Sequence, residues 1–251
     1  MTKIAICGAN GKMGQTIYRC IKEREDCCVI GGIDLNTETY ADFPIVKTPN
    51  ELPEKPDAII DYSHPASLTS LLEYCMSTGT PVVFATTGYS DEQVAQIKKA
   101  SSNIPVFFSW NMSLGINLLV QLAKKATAIL GNQFDIEIIE KHHNQKIDAP
   151  SGTALMIANA INETRNDDLK YTYDRHSQRK KRDQNEIGIH AVRGGTIVGI
   201  HEVLFAGNDE TITISHSAAS KTVFAEGSIN AAIYICGRSA GLYDMGNIVS
   251  Q

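Results

Sequence analysis

The 251-residue sequence is poor in the features that would take it out of the ordinary globular class. It has one tryptophan and 7% aromatic residues, and no apolar run approaches the roughly 18 residues of a membrane span. The opening MTKIAICGANGKMG leaves four residues between Lys3 and Gly8, too few for the apolar region of a secretion signal. Positive charge is not in excess. Lys and Arg number 23 against 28 Asp and Glu, a net −5, which excludes a general nucleic-acid binder but leaves room for a local basic pocket. The six cysteines contain no C-x-x-C pair, and adjacent Cys27 and Cys28 have poor geometry for a mutual bridge. They read as buried thiols of a reducing cytoplasm, not as a disulfide framework. What remains is a soluble chain, 43% hydrophobic and 20% charged, long enough for one to two domains with cores of their own.

The first half alternates β-rich runs with helical stretches. Strands are predicted at Lys3–Cys7, Cys28–Asp34, Asp57–Ser63, Pro81–Thr87 and Pro105–Trp110, and helices at Gly11–Arg24, Pro65–Thr78 and Asp91–Ser101. Several strands are apolar on both faces, as buried parallel strands must be. The pattern predicts an α/β fold with a Rossmann-like, doubly wound parallel sheet. After Asn111 the rhythm changes. A long helix over Leu114–Leu130 is followed by an alternating strand, Asp135–His143, and a helix, Ser151–Glu163. Three strands then follow without helices between them: Ile187–Arg193, Thr196–Ala206 and Thr211–Ser217. Gly194-Gly195 and Gly207-Asn208-Asp209 are hairpin signals between them. A helix at Thr222–Cys236 ends the series, and the whole predicts a second, α+β domain with a mixed sheet. The basic stretch Asp174–Arg182 reads as a solvated loop, or as one that closes over an anionic ligand.

Gly8-Ala9-Asn10-Gly11-Lys12-Met13-Gly14 follows the first strand and opens the first helix, the context a dinucleotide fingerprint requires. The spacing is G-x-x-G-x-x-G. Its glycines let the backbone approach a pyrophosphate, and the helix N-terminus offers N–H groups to it. Asp34 ends the second strand about 20 residues on, where an acid binds the adenosine ribose hydroxyls. A carboxylate there repels a 2′-phosphate, and Leu35 and Asn36 provide no Arg to hold one, so NADH is favoured, with NADPH possible through Lys12. Ala85-Thr86-Thr87 and Ser109-Trp110-Asn111-Met112 end two further strands, where ligands of open α/β sheets sit.

The densest chemical run is Glu140-Lys141-His142-His143-Asn144-Gln145-Lys146-Ile147-Asp148-Ala149-Pro150-Ser151-Gly152-Thr153. Ser151 caps a helix whose Gly152 and Thr153 amides make a carboxylate site. Lys146 adds a charge and a transferable proton, and His142 or His143 titrates near neutrality. Two adjacent His without Cys or a third His are a poor zinc set, so no metal is expected. The segment suits a small anion that must also be protonated. A different nicotinamide dehydrogenase and a non-catalytic nucleotide sensor are the alternatives. The first wants a cysteine at a strand end. The second leaves His142, Lys146 and the Ser-Gly-Thr cap without a task.

With both motifs in view, the chain resembles the 4-hydroxy-tetrahydrodipicolinate reductase (dihydrodipicolinate reductase) family of lysine and diaminopimelate synthesis. The resemblance runs end to end. It rests on the G-x-x-G-x-M-G start, the Ala-Thr-Thr-Gly turn, Asn-Met-Ser before the long helix, and His-His-x-x-Lys-x-Asp-Ala-Pro-Ser-Gly-Thr-Ala. Ile-Gly-Ile-His-Ala-Val-Arg-Gly-Gly and a late Gly-Leu-Tyr-Asp-Met complete it. It implies NAD(P)H-dependent reduction of a cyclic imine dicarboxylate. His142 would be proton donor and acceptor and Lys146 proton donor. His143, Ser151, Gly152, Thr153 and Lys221 would contact substrate. Gly8 to Met13, Asp34, Ala85 to Thr87 and Ser109 to Met112 would hold the cofactor. Lys221 stands where many members have Arg, Ala85 where Gly is common and Ile200 where many have Glu, and the basic loop lacks the family's glycines. The resemblance also implies a first domain of residues 1–112 with 222–251, a second of 113–221 that binds substrate, and a homotetramer joined through that second domain's strands.

Overall fold

A computed structural model describes residues 1–166 and 168–249. The chain opens with β1 (Thr2–Cys7), α1 (Lys12–Lys22), β2 (Cys27–Ile33), β3 (Ile45–Val46) and β4 (Ala58–Asp61). It continues with α2 (Leu68–Thr78), β5 (Val82–Phe84), α3 (Asp91–Ala100) and β6 (Pro105–Phe108). Next come α4 (Leu114–Leu130), β7 (Asp135–His142), α5 (Gly152–Thr164), β8 (Lys170–Thr172), β9 (Glu186–Arg193), β10 (Gly199–Ala206) and β11 (Thr211–Ala218). It closes with α6 (Thr222–Ile235), β12 (Gly241–Tyr243) and α7 (Met245–Val249). Two compact units result, Met1–Leu114 with Lys221–Gln251 and Gly115–Ser220. Positions 250 and 251, the end of the expected first domain, lie outside the described residues.

The first unit is built on a seven-stranded sheet in the order β12-β6-β5-β4-β1-β2-β3, with every pair parallel. Its central strands, β1, β4, β5 and β6, are buried on both sides, and their alternation divides one core into two. Ile4, Ile6, Ala58, Ile60, Val83 and Phe107 face α1 and α6, where Ile17, Ile21, Ala225, Ile229 and Ala232 meet them. Ala5, Cys7, Ile59, Val82, Phe84 and Val106 face α2 and α3, against Leu68, Leu71, Cys75 and Ile97. Each large apolar side chain buried this way contributes roughly 1.5–3 kcal/mol, so the helix returning late in the chain is integral to this core. Strand order reverses between β1 and β4, which opens a crevice beyond their carboxyl ends. Two sheet edges lie outside the sequence-based prediction. β3 is two residues long, too short for any period, and β12 is only partly buried.

The second unit is a five-stranded mixed sheet, β11-β10-β7-β9-β8, with α4 and α5 packed on one face. One expectation fails here. β9 and β10 are not a hairpin, because β7 lies between them, parallel to β9 and antiparallel to β10. The physical reason is at Gly194-Gly195. Gly194 N–H donates to His142 O and Gly195 O accepts from Asn144 N–H, so the turn wraps the end of β7 instead of folding β9 back on itself. Gly207-Asn208-Asp209 does make the hairpin between β10 and β11.

The basic stretch 174–182 is also more anchored than a solvated loop. Arg175 pairs with Glu186 and, at 2.6 Å, with Glu137. Arg182 bonds Glu137 (2.9 Å), Asp135 (2.8 Å) and the Glu186 carbonyl (2.7 Å). Glu186 follows the stretch closely at the start of β9, but Asp135 and Glu137 sit on β7, about 40 residues earlier in the chain, and so the local charge run does not show them.

Candidate active site

In the first unit the β1–α1 turn is shaped by backbone contact. Gly8 has φ +81°, and a Cβ there would lie 2.6 Å from the Tyr62 carbonyl oxygen. A Cβ on Gly14 would lie 2.3 Å from Gly8 O. Both glycines are therefore required for the turn and for α1 to close on it. Gly11 is the N-cap of α1 and supplies no side-chain cap, the condition under which an anion takes that role. Asp34, just past β2, accepts Asn10 N–H (2.9 Å) and Asn36 N–H (3.1 Å). The Asn10 amide donates to Asn36 O and Glu38 O, and Tyr40 O–H to Ala9 O (2.9 Å). The segment that bears the ribose-type acid is thus laced to the glycine turn, and Lys12 is exposed beside it in sequence. These features fit a dinucleotide.

The other expected cofactor residues divide. Ala9 (0% exposed) and Met112 (3%) have their side chains in the core, and Met13 packs against it, so Ala9 and Met112 can offer only backbone. A Cβ on Gly227 of α6 would lie 1.6 Å from Met112 O, which fixes that carbonyl. Ser109 O–H bonds Asn111 O (3.0 Å), and Asn111 Oδ1 accepts Ser113 N–H (2.8 Å), an ordered turn that leaves Trp110 64% exposed. Ala85 is half-buried and Thr87 exposed, whereas Thr86 turns its hydroxyl inward to Asp61. Asp61 was not singled out in the sequence, although an acid ending the all-buried strand AIID is a signal.

In the second unit, the buried face of the sheet changes character row by row. Cross-strand neighbours Ile187, Ile136, Phe205 and Ile212 form one apolar row, and Ile189, Ile138, Val203 and Ile214 the next. The third row, on the same face, is Ala191, Glu140, His201 and His216, and beyond it His142 pairs with Arg193. The β7 period that builds the core therefore also aims its polar end. Glu140 is fully buried and organises the group. It accepts two bonds from Arg193 (both 2.7 Å), Nδ1 of His142 (2.6 Å) and Ser151 N–H (3.0 Å). Burial pushes its pKa up, but the bonds from Arg193, His142 and Ser151 outweigh burial and hold it below the ordinary value. A carboxylate on Nδ1 fixes the N–H there and leaves Nε2 as the ring nitrogen of His142 turned away from Glu140. A Cβ on Gly199 would come within 3.2 Å of that Nε2.

Ser151 caps α5 by accepting Ala154 N–H (3.2 Å), and its Oγ also lies 3.1 Å from His201 Nε2. His201 is 4% exposed and its ring meets that of His142 edge-on at 5.2 Å. Burial, then the neighbouring His142, lowers its pKa to about 4, so it is neutral near pH 7. Lys146 pairs with Asp148 at 2.8 Å. That ammonium first, with the Gly152 N–H among the lesser contributions, holds Asp148 below its ordinary value. His143 and Thr153 are half-buried, and Gly152 is exposed with open space where a Cβ would be. Lys221 is exposed at the N-cap of α6 and belongs to the first unit, one residue beyond the second. Sequence reasoning passed over Glu140, Arg193 and His201 as site residues. The available signal was polar residues in the buried phase of β7 and β10. Among the described residues no His, Cys, Asp or Glu group is arranged to hold a metal, and no helix is long and apolar enough to cross a membrane.

Comparison with known proteins finds one family along nearly the whole chain. Residues 2–112 match the family model described as dihydrodipicolinate reductase, N-terminus, and residues 115–249 match the corresponding C-terminus model. The chain is 48% identical over 251 residues to the 4-hydroxy-tetrahydrodipicolinate reductase of Caldanaerobacter subterraneus, covering 100% of this chain and 99% of that one. It is 46% identical over 245 residues to the enzyme of the same name from Clostridium tetani, covering 98% and 96%. A solved dihydrodipicolinate reductase from Paenisporosarcina sp. TG-14, bound to dipicolinate, superposes with TM-score 0.81 at 28% identity over 99% of both chains. A myo-inositol dehydrogenase from Corynebacterium glutamicum (TM-score 0.60, 13% identity, 96% of this chain and 90% of that one) shares the fold alone.

Proposed function

The chain belongs to the dihydrodipicolinate reductase family, and from that premise we propose that it reduces 4-hydroxy-tetrahydrodipicolinate to tetrahydrodipicolinate, with water leaving, in lysine and diaminopimelate synthesis. The observation that carries this reading is the Glu140 cluster, which combines a fixed His142, a nearby lysine and a capped helix start in the His-His-to-Thr segment. Reduced nicotinamide, when bound, supplies the hydride. Gly8 to Met13 and Asp34 hold the dinucleotide, with the turns at Ala85 to Thr87 and Ser109 to Met112. The Asp34 carboxylate favours NADH over NADPH by repelling a 2′-phosphate.

The chain's remaining task is to hold a dicarboxylate and deliver a proton. A substrate carboxylate sits at the start of α5, on the Gly152 and Thr153 amides, with the Ser151 cap, His143 and Lys221 as further contacts. To reach them it displaces Asp148 from Gly152 and Lys146. Lys146 is then free to bind the substrate and give its proton to the nitrogen on which charge develops, with Nε2 of His142 as proton donor and acceptor beside it. Glu140 stabilises the charged form of that imidazole, and Arg193 keeps Glu140 ionised.

The face of the second sheet opposite α4 and α5 carries Ile139, Ile200, Leu204 and Val192 around the Lys141–Glu202 ion pair (3.1 Å). This mixed, half-exposed face supports self-association into a homotetramer. Six free thiols and a biosynthetic reaction suit the cytoplasm. The test of function is loss of NADH absorbance with enzymatically generated 4-hydroxy-tetrahydrodipicolinate. Turnover is expected. NADH binding without turnover would favour a nucleotide sensor, and a strong preference for NADPH would overturn the role given to Asp34.

A further inference from the structure

Asp61 has no part in the chemistry above, yet it is fully buried at the carboxyl end of β4. Every bond it makes is accepted. Oδ2 takes the hydroxyls of Thr86 (2.9 Å) and Tyr89 (2.8 Å), and Oδ1 takes Ser63 N–H (3.1 Å) and the Ser63 hydroxyl (2.5 Å). Four donors on one carboxyl group describe the ionised, acceptor-only form. No Lys, Arg or His pairs with it among the described residues. The charge is held by hydroxyl dipoles and remains uncancelled.

Its position matters as much as its charge. Asp61 pairs in register with Cys7, the residue before Gly8. Ser63 and Tyr62 form the wall against which Gly8 packs, since a Cβ at Gly8 would touch Tyr62 O and lie 3.0 Å from Ser63 Cα. Thr86 ends the β5 turn, and Tyr89 leads into α3. One carboxylate therefore keys the ends of β1, β4 and β5, which border the crevice where strand order reverses. Buried charge acts through a low effective dielectric and is felt several ångströms away.

We propose that Asp61 is a positioning residue for the nicotinamide cofactor, which fixes the β4 and β5 turns and places an uncancelled negative charge beneath the crevice, so that the oxidised ring is bound in preference to the reduced one. The inference rests on the cofactor site assigned above. The reduced ring is neutral and the oxidised ring carries one positive charge, so the carboxylate favours the state reached once hydride has left.

The test is titration of wild type and Asp61→Asn with NADH and, separately, NAD, by calorimetry. Asparagine keeps the size and removes the charge. NAD affinity is expected to fall about tenfold more than NADH affinity, from a charge acting across several ångströms at an intermediate dielectric. Equal weakening of both forms, or no change in either, overturns the inference while leaving the reductase assignment intact. A wild-type protein that binds neither form overturns both. Should Asp61→Asn not fold, Tyr89→Phe and Thr86→Val each remove one donor and keep the charge. Both cofactor forms are then expected to weaken several-fold together, and unchanged affinity in both variants overturns the positioning role.

Discussion

Asp61 and Glu140 are both fully buried, both lie on a sheet strand of their unit and both accept four hydrogen bonds. They differ in who donates. Asp61 is surrounded by hydroxyls and one amide, none of which changes charge near neutral pH. Glu140 is held by an arginine, a histidine and one amide, so ionisable side chains are among its donors. The contrast divides the labour. A carboxylate satisfied by neutral dipoles makes a fixed charge and a rigid scaffold. One satisfied by ions makes a cluster whose members can exchange protons.

Removing the proton from one half should break the reaction and spare the other half. Lys146→Ala is expected to lower kcat on the order of 10²–10⁴-fold, the range of a lost general acid, with NADH affinity unchanged. Steady-state kinetics with a separate cofactor titration checks both. Loss of the acid itself comes next. Glu140→Gln leaves Arg193 without its ion partner, and chemical denaturation is expected to show destabilisation of about 3 kcal/mol, as for other broken buried pairs.

Acid should distinguish the two clusters. Between pH 6.5 and its folded value of about 4, His201 takes up a proton in the unfolded chain but not in the folded one. Stability therefore rises with pH across that window and is lost as pH falls through it, by about 3 kcal/mol in all. His216, also lowered by burial, adds the same sign. Glu140, held below its ordinary 4.5, adds a loss that begins only at lower pH. His201→Gln is expected to flatten the dependence, as measured by urea midpoints at a series of pH values. The smallest effect belongs to the helix start. Ser151→Ala removes the cap of α5, and thermal unfolding is expected to show a cost of about 1 kcal/mol.

Much of this division can be read in the residues. The continuous apolar runs in KIAIC and AIID announce buried parallel strands, and the glycine turn with Asp34 announces a dinucleotide. His142, Lys146 and Ser151 stand out because chemistry-bearing residues crowd within a few positions of a helix start. Arg193 and His201 do not, because Arg193 reaches Glu140 from 53 residues away and His201 reaches Ser151 from 50 residues away. Strand neighbours are set by sheet order, and sheet order here contradicts the nearest turn signal, since β7 parts β9 from β10. Arg175 and Arg182 follow the same rule, because β7 brings Glu137 and Asp135 to them from about 40 residues away.

The separation of the two half-sites is tested most directly by NADH titration of Glu140→Gln. Trp110, the one tryptophan of the chain, is exposed at an expected cofactor turn and reports binding by energy transfer to the reduced ring. The variant is expected to bind NADH with wild-type affinity while its turnover falls. An affinity that collapses along with turnover would contradict the division between a cofactor-holding Asp61 cluster and a proton-handling Glu140 cluster.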